Sequence, residues 1–314
     1  MDGHRRRNVG QWNPAMRIVV IGAASGLGRR VVAQLCDRGY EVVATGRSRQ
    51  RLQLIDRRAE TAVADITNAA SLAPLLASAD RIINIAHAST IEPLITLVPG
   101  TCERLIVTGS TRRDSNVPDP GADKVRRGEA VFERSELPGS ILHPTMIYGG
   151  DSERNVTRIL TLVGRWPRWL PLLWPVPDGG KTLVQPVYVD DVAAALVAAA
   201  TAELSPARTI VVAGPQPITL AEMLRACASA CGRRLHIVPV PSAMLIGAAR
   251  LLSACAIKAP FSVAELQRSR EDKSYDIDAL RTELDVNPRS FFEGIRLLAD
   301  EETELACTDQ PPKG

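Results

Sequence analysis

The sequence predicts an α/β fold, a doubly wound parallel sheet followed by a small, mostly C-terminal α+β lobe. Three observations lead there. Residues 19–30, VVIGAASGLGRR, run from β-branched chain through three glycines into a helical pattern. Short apolar strands then alternate with helical patterns up to residue 150, which implies right-handed crossovers and parallel pairing. After Gly150 the alternation gives way to a Pro- and Trp-rich stretch and further helices.

The elements follow in order. RIVVIG (17–22) is short and β-branched, as a buried strand should be. Residues 27–38 form a helix closed by Gly39. YEVVATGR is the second strand, ending at Arg47. TAVADITN is the third, with Asp65 near its end. SLAPLLASA is a helix with Ser71 as its expected cap. RIINIAHA and ERLIVTGS are the fourth and fifth strands. A polar loop (112–121) leads to the helix ADKVRRGEAVFERSEL, and GSILHPTMIYG is the sixth strand running into a turn. Beyond it, QPVYVDDVAAALVAAATA is a turn entering a helix, with Asp190 and Asp191 read as helix caps. RTIVVAG and RLHIVPVP read as strands. TLAEMLRACASACG, SAMLIGAARLLSAC and SVAELQRSR read as helices. The expected division is a disordered extension over 1–15, with Met16 a plausible alternative start, and a sheet-bearing first domain over 16–150. A second lobe over 151–302 returns some elements to the first domain, and 303–314 is a disordered tail.

Composition narrows the function classes. Of 314 residues, 45% are apolar and 23% charged, ordinary for a soluble globular protein. The net charge of +3 is spread along the chain, which argues against a nucleic-acid footprint. Six cysteines occur without a CxxC pair and only four His are present, so no metal site and no disulfide framework are expected. Cys227 and Cys231, one helical turn apart, read as small core residues. The Arg-rich start is not followed by an apolar signal segment, and no run of about 18 apolar residues occurs. A cytoplasmic protein without a membrane span is expected.

The glycine turn is the first chemical signal. Glycine is needed where a side chain would block a pyrophosphate, and where a helix must pack close to its strand. Phosphates then sit on N–H groups at the helix start. GAASGLG spaces its glycines as G-x-x-x-G-x-G, so Gly22, Ala24, Ser25, Gly26, Leu27 and Gly28 are expected to line a dinucleotide's phosphates. The end of the second strand sets the cofactor. An acid there would bind a ribose 2′-hydroxyl, whereas TGRSRQR offers Arg47, Arg49 and Arg51, suited to a 2′-phosphate. NADP(H) is therefore expected over NAD(H).

Taken together, these residues resemble the short-chain dehydrogenase/reductase superfamily, most of all its extended and atypical NAD-dependent epimerase/dehydratase members, over about residues 16–300. The resemblance implies a Rossmann domain. It places Asp65 and Ile66 of ADIT beside the adenine and Ala86 of NIAHA along the cofactor. It places Ser110 of VTGS in the active site, and Pro144, Thr145 and Met146 of LHPTMIYG near the nicotinamide. QPVYVDDVA and LDVNPRSFFEGI match the later signatures. The short Rossmann loops are similar to bacterial relatives of the Rossmann-type accessory subunit of respiratory complex I.

One part of the family's pattern is missing. Its chemistry uses a Tyr as acid/base with a Lys four residues on, which lowers the Tyr pKa and holds the nicotinamide ribose. None of Tyr40, Tyr148, Tyr188 and Tyr275 is followed by Lys at that spacing. Lys124 stands roughly where the family's Lys belongs, but Pro120 stands four residues before it. Ser110 and Lys124 are the candidate catalytic residues, with Lys124 also a cofactor ligand. Asp123 and His143 are the candidate substitute proton carriers, although His143 reads first as a packed or backbone-bonded imidazole.

In the second lobe, Trp166, Trp169 and Trp174 lie among Pro167, Pro171, Pro175 and Pro177. That loop reads first as a lid packed on its own lobe, and second as an apolar substrate slot or a peripheral contact with a membrane or protein. The expected function is an atypical NAD(P)-dependent oxidoreductase acting on a small, lipophilic or otherwise simple carbonyl/hydroxyl compound. The competing expectation is a catalytically silent, NADP(H)-bound structural or redox-sensing protein. Oligomeric state is not legible.

Overall fold

The computed structural model describes residues 16–86, 90–150, 154–203, 208–254 and 263–308. The strands are β1 (Arg17–Ile21), β2 (Glu41–Gly46), β3 (Glu60–Val63), β4 (Arg81–Asn84), β5 (Arg104–Thr108), β6 (Gly139–Pro144), β7 (Ile147–Tyr148), β8 (Leu172–Pro177), β9 (Leu183–Val184), β10 (Val187–Tyr188), β11 (Thr209–Val212), β12 (Ile218–Thr219) and β13 (Leu235–Val240). The helices are α1 (Gly26–Asp37), α2 (Arg49–Leu52), α3 (Ala69–Leu76), α4 (Ile91–Ile95), α5 (Pro120–Arg134), α6 (Arg154–Arg165), α7 (Val189–Thr201), α8 (Leu220–Ala230), α9 (Ser242–Ala254), α10 (Val263–Arg268), α11 (Asp278–Thr282) and α12 (Phe291–Thr308).

The central sheet is parallel, with seven strands in the order β11-β6-β5-β4-β1-β2-β3. This is the doubly wound arrangement expected from the alternation. The strand order reverses at β1, which lies between β2 and β4. The carboxyl ends of β1 and β4 therefore border the crevice where such sheets bind ligands. β1, β2 and β4 to β6 are buried almost throughout, because helices cover both faces. One core packs α1 and α7 on one face, around Val31, Leu35, Val192 and Leu196. The other face packs Leu72, Leu76, Ile91, Leu94 and Phe132.

Three arginines fasten helix ends to this frame. Arg81 donates to the carbonyls of Ala200 and Ala202, and Arg104 to those of Ala199 and Ala202, so both cap the carboxyl end of α7. Arg208 does the same for α5, donating to the carbonyls of Phe132 and Ser135 with its guanidinium over the Phe132 ring.

Several expectations need correcting. Asn68, not Ser71, occupies the N-cap of α3; the Ser71 hydroxyl lies inside the helix and donates to the Asn68 carbonyl at 2.8 Å. The N-cap of α7 is Tyr188. Asp190 and Asp191 sit in its first turn, where they accept from Arg30 at 2.6 Å and from Arg289 at 3.0 Å. The Pro- and Trp-rich stretch is not all loop: β8 pairs in parallel with β13 along its whole length. Pro is tolerated there because β8 pairs on one side only. α12 continues to Thr308, so part of the stretch read as a tail is helical. Residues 1–15 lie outside the described residues.

Candidate functional site

The site begins at the glycine turn. Gly22 has φ +82°, the left-handed region that favours glycine, and a side chain there would press on the Ala86 N–H at 3.2 Å. The turn after β1 is thereby held against the chain leaving β4. Ser25 caps α1, accepting from the Gly28 N–H at 3.0 Å and donating to the Gly22 carbonyl at 2.9 Å. Gly28 serves close packing: a Cβ would stand 2.5 Å from the Gly22 carbonyl oxygen and 2.6 Å from Ala23. Ala24 lies against Gly46 at the end of β2, where a Cβ would meet it at 3.0 Å. The start of α1 thus points its amide dipole into the crevice, as an anionic phosphate requires.

A cleft of about 690 Å³ opens from this point. Ser25 and Leu27 line one end, beside Ile85. Thr108, Gly109 and Ser110 at the end of β5 line the middle, together with Pro144, Thr145 and Met146 after β6. The far wall comes from the second lobe and the segment after it: Glu265, Arg268 and Ser269, then Glu271 and Lys273. The structure therefore brings the turn, Ser110 and the Pro144–Met146 stretch onto one cleft.

The middle of the cleft is held rigidly. The Ser110 N–H donates to His143 Nδ1 at 3.1 Å, and Ser110 Oγ accepts from the Arg112 N–H at 3.2 Å. No described contact takes up the hydroxyl proton of Ser110, so it can be donated to a substrate oxygen. His143 is fully buried. Nδ1 accepts from the Ser110 N–H, while Nε2 lies 3.2 Å from Arg113 Nη1 and 3.4 Å from Glu129 Oε1, these two side chains being ion-paired with each other. Burial, reinforced by the Arg113 charge, pushes the His143 pKa down to about 4. His143 is therefore the backbone-bonded imidazole, positioning Ser110 from behind and out of reach of the cleft. Thr145 is pinned as well, donating its hydroxyl to the Gln185 carbonyl and its N–H to the Val212 carbonyl.

The other candidates are dispersed. Lys124 lies exposed on α5 and does not line the cleft, and Asp123 is ion-paired with Arg126 at 2.6 Å on the same surface. Tyr148 is fully buried against Tyr188 and Phe291, and burial raises its pKa. Tyr188 is buried under the Arg289 guanidinium. Tyr275 comes nearest: burial raises its pKa, and its phenol interacts with Thr111 and Asp114 beside the cleft. Its backbone is clamped by Gln185, which accepts from the Tyr275 N–H and donates to its carbonyl.

At the opposite end, Arg47 and Arg49 line a second recess with Leu52, Gln53, Thr61 and Val63. Asp65 lies in the loop after β3. Its carboxylate accepts the N–H and hydroxyl of Thr67, which hold its pKa low, with a smaller contribution from the Arg47 charge. Ile66 packs on the core beside it. Arg30, which flanks the turn in sequence, is committed to Asp190 and the Gly149 carbonyl. Trp166 and Trp169 are exposed and do not line the cleft, so at these residues the loop forms neither the packed lid, its first reading, nor the apolar substrate slot, its second.

Sequence reasoning missed the far wall. Arg268, Glu271 and Lys273 belong to no motif and reach the cleft only because the chain folds back from the second lobe. Arg268 pairs with Asp119 at 3.2 Å and Lys273 with Glu271 at 3.1 Å; Glu271 also accepts from the Ser115 hydroxyl and the Asn116 N–H. No sequence spacing announces these contacts.

Comparison with known proteins bears on the first domain and on the fold. Residues 22–164 match a protein-family model described as NAD(P)H-binding. No curated protein sequence matches the chain. Solved structures share its fold. An epimerase from Methanothermobacter thermautotrophicus superposes with a TM-score of 0.69 at 16% identity, covering 94% of this chain and 95% of its own. UDP-glucose 4-epimerase from Thermotoga maritima, solved with UDP-glucose, gives 0.69 at 16% identity over 93% of this chain and 100% of its own. UDP-glucuronic acid 4-epimerase from Bacillus cereus, solved with UDP-glucuronic acid and NAD, gives 0.68 at 17% identity over 92% and 100%.

Proposed function

We propose that this chain, whose residues 22–164 match an NAD(P)H-binding family model and whose fold is shared by solved epimerases, is an NAD(P)-dependent oxidoreductase acting on a small carbonyl/hydroxyl compound. The observation that carries the proposal is the continuous cleft from the start of α1, past Ser110 and Pro144–Met146, to the charged wall of Arg268, Glu271 and Lys273.

The nicotinamide cofactor, when bound, supplies or accepts a hydride; every other role falls to the chain. The Ser25–Gly28 turn holds phosphates on the amide end of α1. Pro144, Thr145 and Met146 form the floor for the nicotinamide, with Thr145 bonded to the Gln185 and Val212 carbonyls and the Met146 carbonyl accepting from the Val187 N–H. Ser110, fixed by His143, donates its proton to the substrate oxygen. Asp65, Ile66 and Ala86 frame the adenosine half. Arg47 at the second recess favours a 2′-phosphate, so the cofactor we propose is NADP(H) rather than NAD(H). The far wall alternates charges, which suits a polar small molecule better than a lipophilic one.

One observation favours a second reading, a cofactor-bound protein without turnover. No Tyr lines the cleft among the described residues, and Lys124 is exposed and does not line it. Loss of general acid–base help costs about 10²–10⁴-fold in rate, which slows hydride transfer without forbidding it. The test is NADPH consumption against a panel of aldehydes, ketones and quinones, alongside thermal stabilisation by NADPH. Turnover that falls in Ser110→Ala supports the enzyme. Stabilisation with no turnover on any acceptor supports the silent reading and overturns the first.

A further inference from the structure

The second lobe carries a surface that the cleft does not use. The segment before β8 leaves Trp169 81% exposed, with Trp166 and Leu170 exposed beside it. This tip is built rather than frayed: the Arg233 guanidinium, reaching from the chain before β13, donates to the carbonyls of Trp166 at 2.9 Å, Pro167 at 3.2 Å and Leu170 at 3.4 Å. The outward positions of the β8–β13 ladder continue the apolar surface through Leu173, 50% exposed, and Pro175 opposite Val238. α9 of the same lobe leaves Met244 and Leu251 66% and 67% exposed, with Ala248 between them on one helical stripe.

The charge around these residues is one-sided. Residues 154–177 contain four arginines and no acid, and residues 223–264 contain five basic residues and no acid, in a chain with 35 acids overall. Arg165, Arg168 and Arg234 are exposed beside the tip. Glu222 and Glu265 bound the second stretch, and Asp178 follows the first, where its carboxylate accepts from the Ser242 N–H at the start of α9.

We propose that this face docks on an anionic lipid surface, with Trp169 and Leu173 entering the headgroup region and the arginines pairing with lipid phosphates. The chemistry fits: Trp is at home where an apolar medium meets water, and basic side chains gain from a negative leaflet. Other occupants fit less well. A peptide strand adding to the free edge of β8 would find Pro175 and Pro177 without N–H donors. A second copy would bring the acid-free, arginine-bearing stretches 154–177 and 223–264 against each other.

The test is cosedimentation of the full chain with vesicles of pure phosphatidylcholine and of phosphatidylcholine containing phosphatidylglycerol. The proposal expects binding to the anionic vesicles at least tenfold tighter than to neutral ones, weakened at high salt. A blue shift of Trp fluorescence should accompany binding. Trp169→Ser with Leu173→Ser should lose at least tenfold in binding with little change in melting temperature. Arg165→Gln, Arg168→Gln and Arg234→Gln, all on the surface, should lose the preference for anionic lipid. Absence of binding, equal binding to both vesicles, or wild-type binding by these variants overturns the proposal. A dimer in solution that the Trp169→Ser, Leu173→Ser variant dissociates overturns it in favour of self-association.

Discussion

His143 gives the sharpest prediction about what holds the cleft in place. The ring is buried behind Ser110, accepts from its N–H and is neutral, with its pKa pushed down to about 4 by burial and the Arg113 charge. An unfolded His titrates near 6.5. The native pKa lies below the unfolded one, so between these values the unfolded chain binds more protons. Stability is therefore complete above about pH 7 and falls as the pH drops from 6.5 towards 4. At pH 5 the linkage costs about 2 kcal/mol relative to pH 7.5. Carboxylates whose native pKa is lowered, such as Asp65, Glu271 and Glu293, contribute a loss mainly below about pH 4.5, outside this window. The assay is urea denaturation at pH 7.5 and pH 5. His143→Asn keeps an acceptor for the Ser110 N–H but cannot be protonated. It should be less stable at pH 7.5 by about 1–3 kcal/mol and should lose most of the pH dependence. A variant with undiminished pH dependence would refute the assignment, as would a wild type equally stable at both pH values.

Three further outcomes are expected. Gly28→Ala puts a Cβ 2.5 Å from a backbone oxygen that no rotamer can relieve, so α1 must shift; denaturation should show a loss of about 1–3 kcal/mol, and calorimetry a weakened NADPH affinity. Arg47→Ala should weaken NADPH by roughly ten- to a hundredfold, about 1.5–3 kcal/mol for a charge-assisted contact, and leave NADH nearly unchanged in calorimetric titration. Equal loss for both cofactors would place the preference elsewhere. Lys124→Ala, on the exposed face of α5, should change NADPH affinity less than twofold; a large loss would mean that α5 turns this side chain inward when cofactor binds.

The sheet and the glycine turn were legible because both are local. Each strand is a short apolar run, each helix has its own periodicity, and Ser25, Gly26 and Gly28 are adjacent in sequence. The buried role of His143 was half legible: its place in the sixth strand was plain, but its bond to Ser110 joins residues 33 apart. Lys124 was misplaced because counting along a motif fixes position in sequence but not the rotation of a helix, and α5 starts at Pro120 with Lys124 on its outer face. β8 was missed because proline content argues for loop, whereas Leu172, Trp174 and Val176 alternate inward on a strand paired on one side only. The charged wall was invisible, since Arg268 and Lys273 are ordinary surface residues until the chain folds back over Ser115 and Asp119.

The central claim is that the cleft at the carboxyl ends of β1, β4 and β5 takes a dinucleotide with its nicotinamide beside Ser110. A crystal structure of the chain grown with NADPH tests it most directly. The account predicts pyrophosphate oxygens on the amide end of α1, the 2′-phosphate at Arg47, and the nicotinamide against Pro144–Met146 with its reactive face open towards Ser110 and Lys273. NADPH absent at saturating concentration, or bound with its nicotinamide away from Ser110, would contradict it.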